Sequence, residues 1–497
     1  MKRIVFIFLH LLSAVAIAQE ESVLIVESDT AIYEGKQITL KGNALLDHPL
    51  GKICAQHIEA IAEKEGRQLD LQQLKMRDRV RIELRDTGRL TCGQAHIDHA
   101  AMTGDFSGSE EEEYVVYTEE KGAQSGSGSP LTVKSRHMVL HINKEAAGHV
   151  LRERISAIDA DRDVTVNYNN DYVAKADIAV YRKEDNSLDT PQSGLFGQIS
   201  LHAKEKDGLC QISNRQGDVI KATQIDIDTR KHLLSFSHPR GSLKVENKKL
   251  VQEIDFSSDT LLWDDIQHLL TLRGDIKIAQ AGMGHLTTDK ELLVFHENQN
   301  GVKQVHTIEC TGETTLVYTD QENGTEHILT CYGKVIVDHK LFKTTMESPR
   351  DINGIVLSDK KVFFKDAMGE IFADKLTIFY DVANHKLEPS RLLLEGDVRI
   401  LKCTATDPEN EGTFLQYAIA DKVEYTAQAK EVVLSTEKPK RVLFFDKVNY
   451  VSMSAASLKI RRDELTQKES IQGVGDVRFS FAQKELEEFK KIFPLLK

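Results

Sequence analysis

The chain has 497 residues, 28% of them charged and 40% apolar, with 64 Lys+Arg against 77 Asp+Glu for a formal net charge of −13. An acidic balance without a basic run longer than Lys360-Lys361 or Arg461-Arg462 excludes a phosphate-neutralising nucleic-acid binder. Beyond the first residues no stretch approaches the roughly 20 consecutive apolar residues of a membrane helix, so no transmembrane segment is expected in the mature chain.

Residues 1–18 carry Lys2 and Arg3, an apolar run from Ile4 to Leu12 broken only by His10, and the small-residue ending Ala16-Ile17-Ala18. This is the layout of a signal peptide cleaved after Ala18, and it predicts export to the periplasm. Residues 19–106 form the first β-rich unit, with Ala31-Ile32-Tyr33, Ile38-Thr39-Leu40 and the alternating Val80-Arg81-Ile82-Glu83-Leu84. Residues 107–130, with Glu110-Glu111-Glu112-Glu113 and Gly126-Ser127-Gly128-Ser129-Pro130, are expected to be an acidic, Gly/Ser-rich linker or loop. A middle β-rich unit follows over 131–249, where Ala176 to Tyr181 and Ile225-Asp226-Ile227-Asp228 keep a period of two. Residues 250–481 carry the clearest repeats, and 482–497 read as a short amphipathic helical tail around Leu486, Phe489, Ile492 and Phe493.

Two phrases recur. The first is a glycine feeding an alternating strand: Gly274-Asp275-Ile276-Lys277-Ile278, Gly396-Asp397-Val398-Arg399-Ile400 and Gly475-Asp476-Val477-Arg478-Phe479, with looser copies at Gly42-Asn43-Ala44-Leu45-Leu46 and Gly333-Lys334-Val335-Ile336-Val337. Here the glycine supplies a bend or tolerates a close backbone neighbour. The second runs Ala176-Asp177-Ile178-Ala179-Val180-Tyr181, Ala373-Asp374-Lys375-Leu376-Thr377-Ile378-Phe379-Tyr380 and Ala420-Asp421-Lys422-Val423-Glu424-Tyr425, with relatives at Thr288-Asp289 and Ala455-Ala456. Self-similarity on this scale predicts stacked β-units. The glycines at 274, 333, 396 and 475 recur at unequal intervals, which a fixed-length parallel solenoid does not tolerate. Antiparallel hairpins with loops inserted at their ends do. The expected fold is therefore all-β, an elongated stack of antiparallel jelly-roll repeats with little helix.

Six cysteines are scattered singly without a C-x-x-C. Their even number is compatible with a Cys310–Cys331 disulfide across a hairpin near Asn323-Gly324, and equally with buried small apolar residues. Asp-His recurs at Asp47-His48, Asp98-His99 and Asp338-His339; polar residues at strand ends explain it better than metal or acid/base chemistry, which needs several convergent ligands. The compact fingerprints of hydrolases, P-loop proteins and zinc peptidases are missing. No catalytic residue, metal site or cofactor is assigned.

The signal peptide and the order of phrases, best seen in Ala373-Asp374 to Tyr380-Asp381, Leu392-Leu393-Leu394-Glu395-Gly396-Asp397-Val398-Arg399-Ile400, Ala420-Asp421 to Tyr425, and Ala31 to Ala44, resemble the OstA-like (LptA-type) family of lipopolysaccharide transport proteins. The match is clearest over 31–46 and 250–480. That resemblance implies a periplasmic, slightly open jelly-roll whose apolar groove passes acyl chains and whose terminal strand edges pair with other jelly-roll transport proteins or with further copies. It implies lipopolysaccharide or a related lipid as ligand, carried between inner and outer membrane. The chain is longer than stand-alone members and lacks the C-terminal barrel of the outer-membrane member. The groove candidates are the alternating apolar residues of the phrases: Leu40, Ala44 and Leu46; Ile276 and Ile278; Val335 and Val337; Leu376 and Ile378; Val398 and Ile400; Val477 and Phe479. The first strand after Ser22 and the last near 477–481 are the expected docking edges. Two other classes remain: a structural or adhesive β-repeat protein, with a closed dry core, and a β-helix enzyme acting on polysaccharide, with acidic residues clustered on one strand face.

Overall fold

The computed structural model describes residues 26–480 except 49, 66–67, 85–87, 120–129, 148–149, 184–196, 206, 248–249, 281–283, 300–301, 320–324, 368, 384–385, 404–413, 448–450 and 463–468. The expected signal peptide and amphipathic tail lie outside these residues. Among the described residues the fold is all-β, with forty strands, antiparallel pairing and no helix. Among these residues no helix is long and apolar enough to cross a membrane.

The chain forms two compact units, one ending at Pro239 and taking in Asp264–Ile266, the other comprising Arg240–Trp263 and the chain from Gln267 onward. Two expectations about organisation are corrected here. Residues 107–130 are not simply a linker, because Val115–Glu119 is a strand with alternating burial that pairs with Gly88–Asp98 on one side and Leu131–Ser135 on the other. Its Val115 and Tyr117 are fully buried and hold the flanking segments in one core. The second boundary falls at Arg240 instead of 250, since Arg240–Asn247 and Leu250–Ser257 are the two arms of one hairpin.

Each unit is built from two hydrogen-bonded ladders between which the chain passes back and forth, and the recurring glycine phrase marks many of the crossings. In the long strand Gln37–His48 the residues before the corner pair with 57–61 and those after it with 51–55, and the register shifts between Lys41 and Ala44. At the break stand Gly42 and Asn43 with φ of 77° and 43°. The same left-handed pair recurs at Gly274-Asp275 (69°, 31°), Gly396-Asp397 (77°, 39°) and Gly475-Asp476 (77°, 47°). Two consecutive left-handed residues turn the strand sharply, and glycine followed by Asn or Asp adopts them at the least cost. Gly333 is different: it has ordinary φ, and a Cβ there would run into the Glu347 carbonyl, so it serves close approach instead of a bend.

The second phrase docks on the first. The Asp374 N–H donates to the Gly396 carbonyl at 3.0 Å, and Ala456 N–H to Gly475 at 3.0 Å. Asp29 and Asp259 do the same for Gly42 (2.9 Å) and Gly274 (3.0 Å) from Ser-Asp-Thr segments, in which the Ser28 and Ser258 hydroxyls donate to the Thr30 and Thr260 carbonyls. Around one corner, Lys361 lies 2.9 Å from Asp374 and 2.7 Å from Asp397 although only 8% exposed, and Arg399 also binds Asp397. Burial alone would raise the Asp397 carboxyl; the two cations outweigh it and hold it below the usual carboxylate range.

The Cys310–Cys331 disulfide is not formed. Both thiols are free and buried, Cys310 opposite Leu292 and Val335 in one ladder and Cys331 opposite Thr314 in the other. They fill the core as small apolar residues.

Candidate functional site: the interior of the second unit

Strand alternation places every second side chain on the inner face of its ladder, and register then joins these positions into rows that cross whole ladders. In the first unit one such row runs Leu40, Ile58, Met76, Ala95, Phe106, Met138, Ala160, Ala179, Leu201, Ile225, Phe236. The next row outward from the corners includes Leu74, Ile97, Leu140, Ile158, Tyr181, Ile199, Ile227 and Leu234, none more than 2% exposed. The facing ladder carries Leu46, Ile53, Ile82, Leu90, Tyr117, Val133, Val166, Ala174, Ile212 and Ile220, none above 3%. The first unit therefore has a closed, dry core.

Polar bonds between the two ladders tie this core shut on the side away from the corners. Glu119, 2% exposed, accepts from Tyr117 and, across the gap, from Tyr181 at 3.3 Å, with Lys183 at 3.0 Å. His48 and His99 meet through their Nε2 atoms at 3.0 Å. The Leu50 N–H donates to His48 Nδ1, so in the neutral ring the proton sits on Nε2 and is offered to His99. Tyr168 bonds His232 at 3.1 Å, and Tyr172 donates to Asp265 at 3.1 Å. The Asp98 and Asp338 carboxylates accept from the backbone N–H groups two and three residues on, the turn role expected of Asp-His at strand ends.

The second unit repeats the inner rows but leaves much of the outer of each pair only half-buried. Near the corners, Leu272, Leu292, Cys310, Val335, Met346, Leu376, Leu394, Val423, Leu434 and Leu458 form one continuous row, none more than 7% exposed. In the row one position further out Leu270, Val294 and Thr344 are buried, whereas Ile308, Val337, Ile378, Leu392, Tyr425, Val432, Ile460 and Ile471 are only half-buried. The opposing ladder carries Phe256, Ile278, Leu286, Leu316, Leu329, Phe364, Ile371, Ile400, Ala418, Phe444, Met453 and Phe479 in unbroken cross-strand register. Of these, Ile278, Leu286, Leu316, Phe364, Ile371 and Ile400 are half-buried. Both walls are thus predominantly apolar and partly solvent-accessible, most continuously from Ile378 to Ile471 on one wall and over Ile278, Leu286, Leu316, Phe364, Ile371 and Ile400 on the other. Beyond the apolar row the lip turns polar and aromatic: Tyr318 and His327 stack with ring centroids 5.9 Å apart, His327 stacks in turn on Phe364 of the row at 6.0 Å, and Gln416 donates to Asp446 at 3.0 Å.

The thirteen groove candidates separate by depth. Leu40, Ala44 and Leu46 lie in the closed core of the first unit, at 1% exposure each. Ile276, Val335, Leu376 and Val398 belong to the buried rows beside the corners. Ile278, Val337, Ile378 and Ile400 stand on the half-open rows. Val477, just before the last strand, and Phe479, on it, are exposed at 40% and 54%. Sequence reading missed Leu286, Leu316, Phe364, Ile371, Tyr425 and Ile460, whose strands carry the alternation without the glycine phrase; period-two patterning alone could have found them.

Among the described residues the first and last strands have a partner on one side only. Val26–Glu27 and Thr30–Glu34 pair with Gln37–His48, and the latter exposes Ile32 and Tyr33 at 42% and 62%. At the other end Glu469–Val474 pairs with Ser457–Arg462, and Arg478–Ser480 with Val451–Ala455. Among the described residues no group of three or more His, Cys, Asp or Glu is placed to hold a metal. No protein-family model matches the chain, and no curated protein matches it significantly.

Proposed function

We propose that this protein is a non-enzymatic lipid carrier or bridge of the OstA-like kind, working in the periplasm on lipopolysaccharide or a related acylated lipid. The second unit is its binding element. One observation carries the reading: two facing ladders hold largely apolar rows with long half-buried stretches, whereas the equivalent rows of the first unit are shut. Soluble domains rarely leave so extended an apolar surface in water without an occupant. Each acyl methylene transferred onto it contributes roughly 0.8 kcal/mol, so about 12 methylenes supply on the order of 10 kcal/mol toward the cost of association. The recurring corners hold the two ladders at one side while the other side admits the chain. The first unit, dry and latched, serves as scaffold and supplies one exposed strand edge; the last strands of the second unit supply another, suited to pairing with a neighbouring jelly-roll.

The test is direct. Full-length protein purified without detergent is extracted with organic solvent and the extract examined by mass spectrometry, alongside binding of an environment-sensitive fluorescent fatty acid. Stoichiometric acylated lipid, and competition of the probe by lipid A, support the carrier reading. A lipid-free extract together with no saturable binding would move the assignment to a structural β-repeat protein.

A further inference from the structure

The passage from Lys343–Glu347 to Val362–Asp366 departs from the neighbouring corners of the second unit. Those cross with one or two residues, as at Gly312-Glu313, Tyr332-Gly333 and Asp374, whereas this one spends residues 348–361. The excursion is a braced knob. Arg350 and Val356 form a β-bridge, the Leu357 N–H donates to the Pro349 carbonyl at 3.1 Å, and the Asp351 N–H to the Ile355 carbonyl at 2.8 Å. The Asp351 carboxylate accepts from the N–H groups of Asn353 and Ile355 at 2.9 and 2.8 Å, and the Arg350 guanidinium donates to the Gly354 carbonyl at 2.9 Å. At the base the Val362 N–H donates to Ser348 Oγ at 3.0 Å, beside Lys361 and its two carboxylates. This framework holds Ile352 wholly in water, at 101% exposure, and Ile355 at 65%.

We propose that this knob is a membrane-contact element that places Ile352 and Ile355 in the interface of a phospholipid bilayer. Three observations favour a bilayer over a protein partner. First, the tip 352–358 (Ile-Asn-Gly-Ile-Val-Leu-Ser) carries no charge in a chain of which 28% is charged, and its aliphatic residues Ile352, Ile355, Val356 and Leu357 outnumber the rest. Second, the base is charge-balanced, with Arg350 and Lys360 against Asp351 and Asp359, so the chain's net charge of −13 is not expressed where the knob meets an anionic headgroup layer. Arg350 and Lys360 are exposed there, at the level a headgroup phosphate takes when the tip is inserted. Third, the knob is too small for a specific protein interface, which buries about 800 Å² per partner around aromatic or Arg anchors. Two isoleucines on a narrow turn supply neither. Among the described residues nothing lies within 4 Å of a Cβ built at Gly354, so the tip is open around its turn, and a bilayer can surround it. The knob leaves the sheet beside Lys361, on the corner side, so its contact leaves the half-buried rows uncovered and the proposal stands apart from the lipid-carrier reading.

The test uses the full chain carrying Ile352→Trp or, separately, Leu341→Trp, the latter replacing a side chain 68% exposed on the turn between Lys334–Asp338 and Lys343–Glu347. Vesicles of phosphatidylcholine and phosphatidylglycerol carry bromine on the upper part of their acyl chains, where it quenches an indole that reaches it. Unsubstituted protein, with Trp263 as its single tryptophan, gives the baseline to be subtracted, so lipid taken up elsewhere does not register as contact at the knob. The indole of Ile352→Trp should shift to shorter wavelength and be quenched, while that of Leu341→Trp should do neither. Adding Ile355→Ser to Ile352→Trp should raise the vesicle concentration at half-quenching about fivefold or more, whereas adding Leu341→Ser should leave it unchanged. An unquenched Ile352→Trp protein, equal quenching at positions 341 and 352, or indifference to Ile355→Ser would overturn the proposal.

Discussion

Replacing Gly396 by alanine tests whether the corners hold the ladders together. Gly396 has φ of +77°, and an added Cβ would lie 2.7 Å from the Asp374 Cβ and closer still to its carboxylate. The left-handed backbone costs a non-glycine residue about 1–2 kcal/mol, and relieving the overlap costs roughly 1–3 kcal/mol more. The expected destabilisation is thus about 3 kcal/mol, because Asp374 must also leave its place beside the buried Lys361. Gly354 supplies an internal control: its φ is +78°, but nothing lies within 4 Å of its added Cβ. Gly354→Ala should cost only about 1 kcal/mol. The single tryptophan, Trp263, is 3% exposed in the second unit and reports urea unfolding there. Asp374→Ala added to Gly396→Ala should recover on the order of 1 kcal/mol by removing the obstacle, as at Gly475, where Ala456 stands opposite and the added Cβ would lie 3.2 Å away. Equal costs for Gly396→Ala and Gly354→Ala, or strict additivity in the double variant, would refute the packing argument.

Three further outcomes follow from the geometry. Lys183→Met should destabilise the first unit by about 3 kcal/mol in urea titration, since it leaves the Glu119 carboxylate buried without its cation, and Lys183→Met with Glu119→Gln should recover much of that. Around His137, burial opposes the charged ring, but Asp105 and Asp161 at 3.1 and 2.5 Å outweigh it and raise its pKa above the ordinary 6.5. That contribution is complete below about pH 6.5 and disappears as pH rises through the raised value, so His137→Gln should cost more stability at pH 5.5 than at pH 8.5; a pH-independent cost would contradict it. Burial pushes the Cys310 thiol up to about 12, and native protein at pH 8 should therefore alkylate at Cys310 roughly a thousandfold more slowly than denatured protein, as read by peptide mass spectrometry.

The corners were legible in the sequence wherever glycine made them, because a left-handed pair leaves few residues to choose from. Gly42-Asn43 and Gly396-Asp397 were visible for that reason. The corners at Asp78-Arg79 and Arg162-Asp163 have equally positive φ, from 56° to 66°, yet are built from charged residues that leave no mark in a pattern search. Arg136 takes there the place that Asp374 has at Gly396, donating its N–H to the Arg162 carbonyl at 2.9 Å. The strand Val115–Glu119 was hidden because five residues beside an acidic run read as a loop until their partners are known. Which unit buries its outer rows and which leaves them partly exposed was not legible at all. Leu46 and Ile400 each stand four residues past the same kind of corner in an alternating strand, yet one is 1% exposed and the other half-buried, a difference set by packing against the facing ladder and by bonds such as Glu119–Lys183 that local sequence does not display.

The central claim is that the second unit holds lipid between its half-open rows, and photocrosslinking in cells addresses it most directly. A probe placed in turn at Phe364, Ile378 and Ile400 should crosslink to lipopolysaccharide, while probes at fully buried Val398, outward-facing Arg399 and Leu40 of the closed unit should not. Crosslinks confined to Leu40, or absent from all three half-open positions in folded, exported protein, would contradict the account.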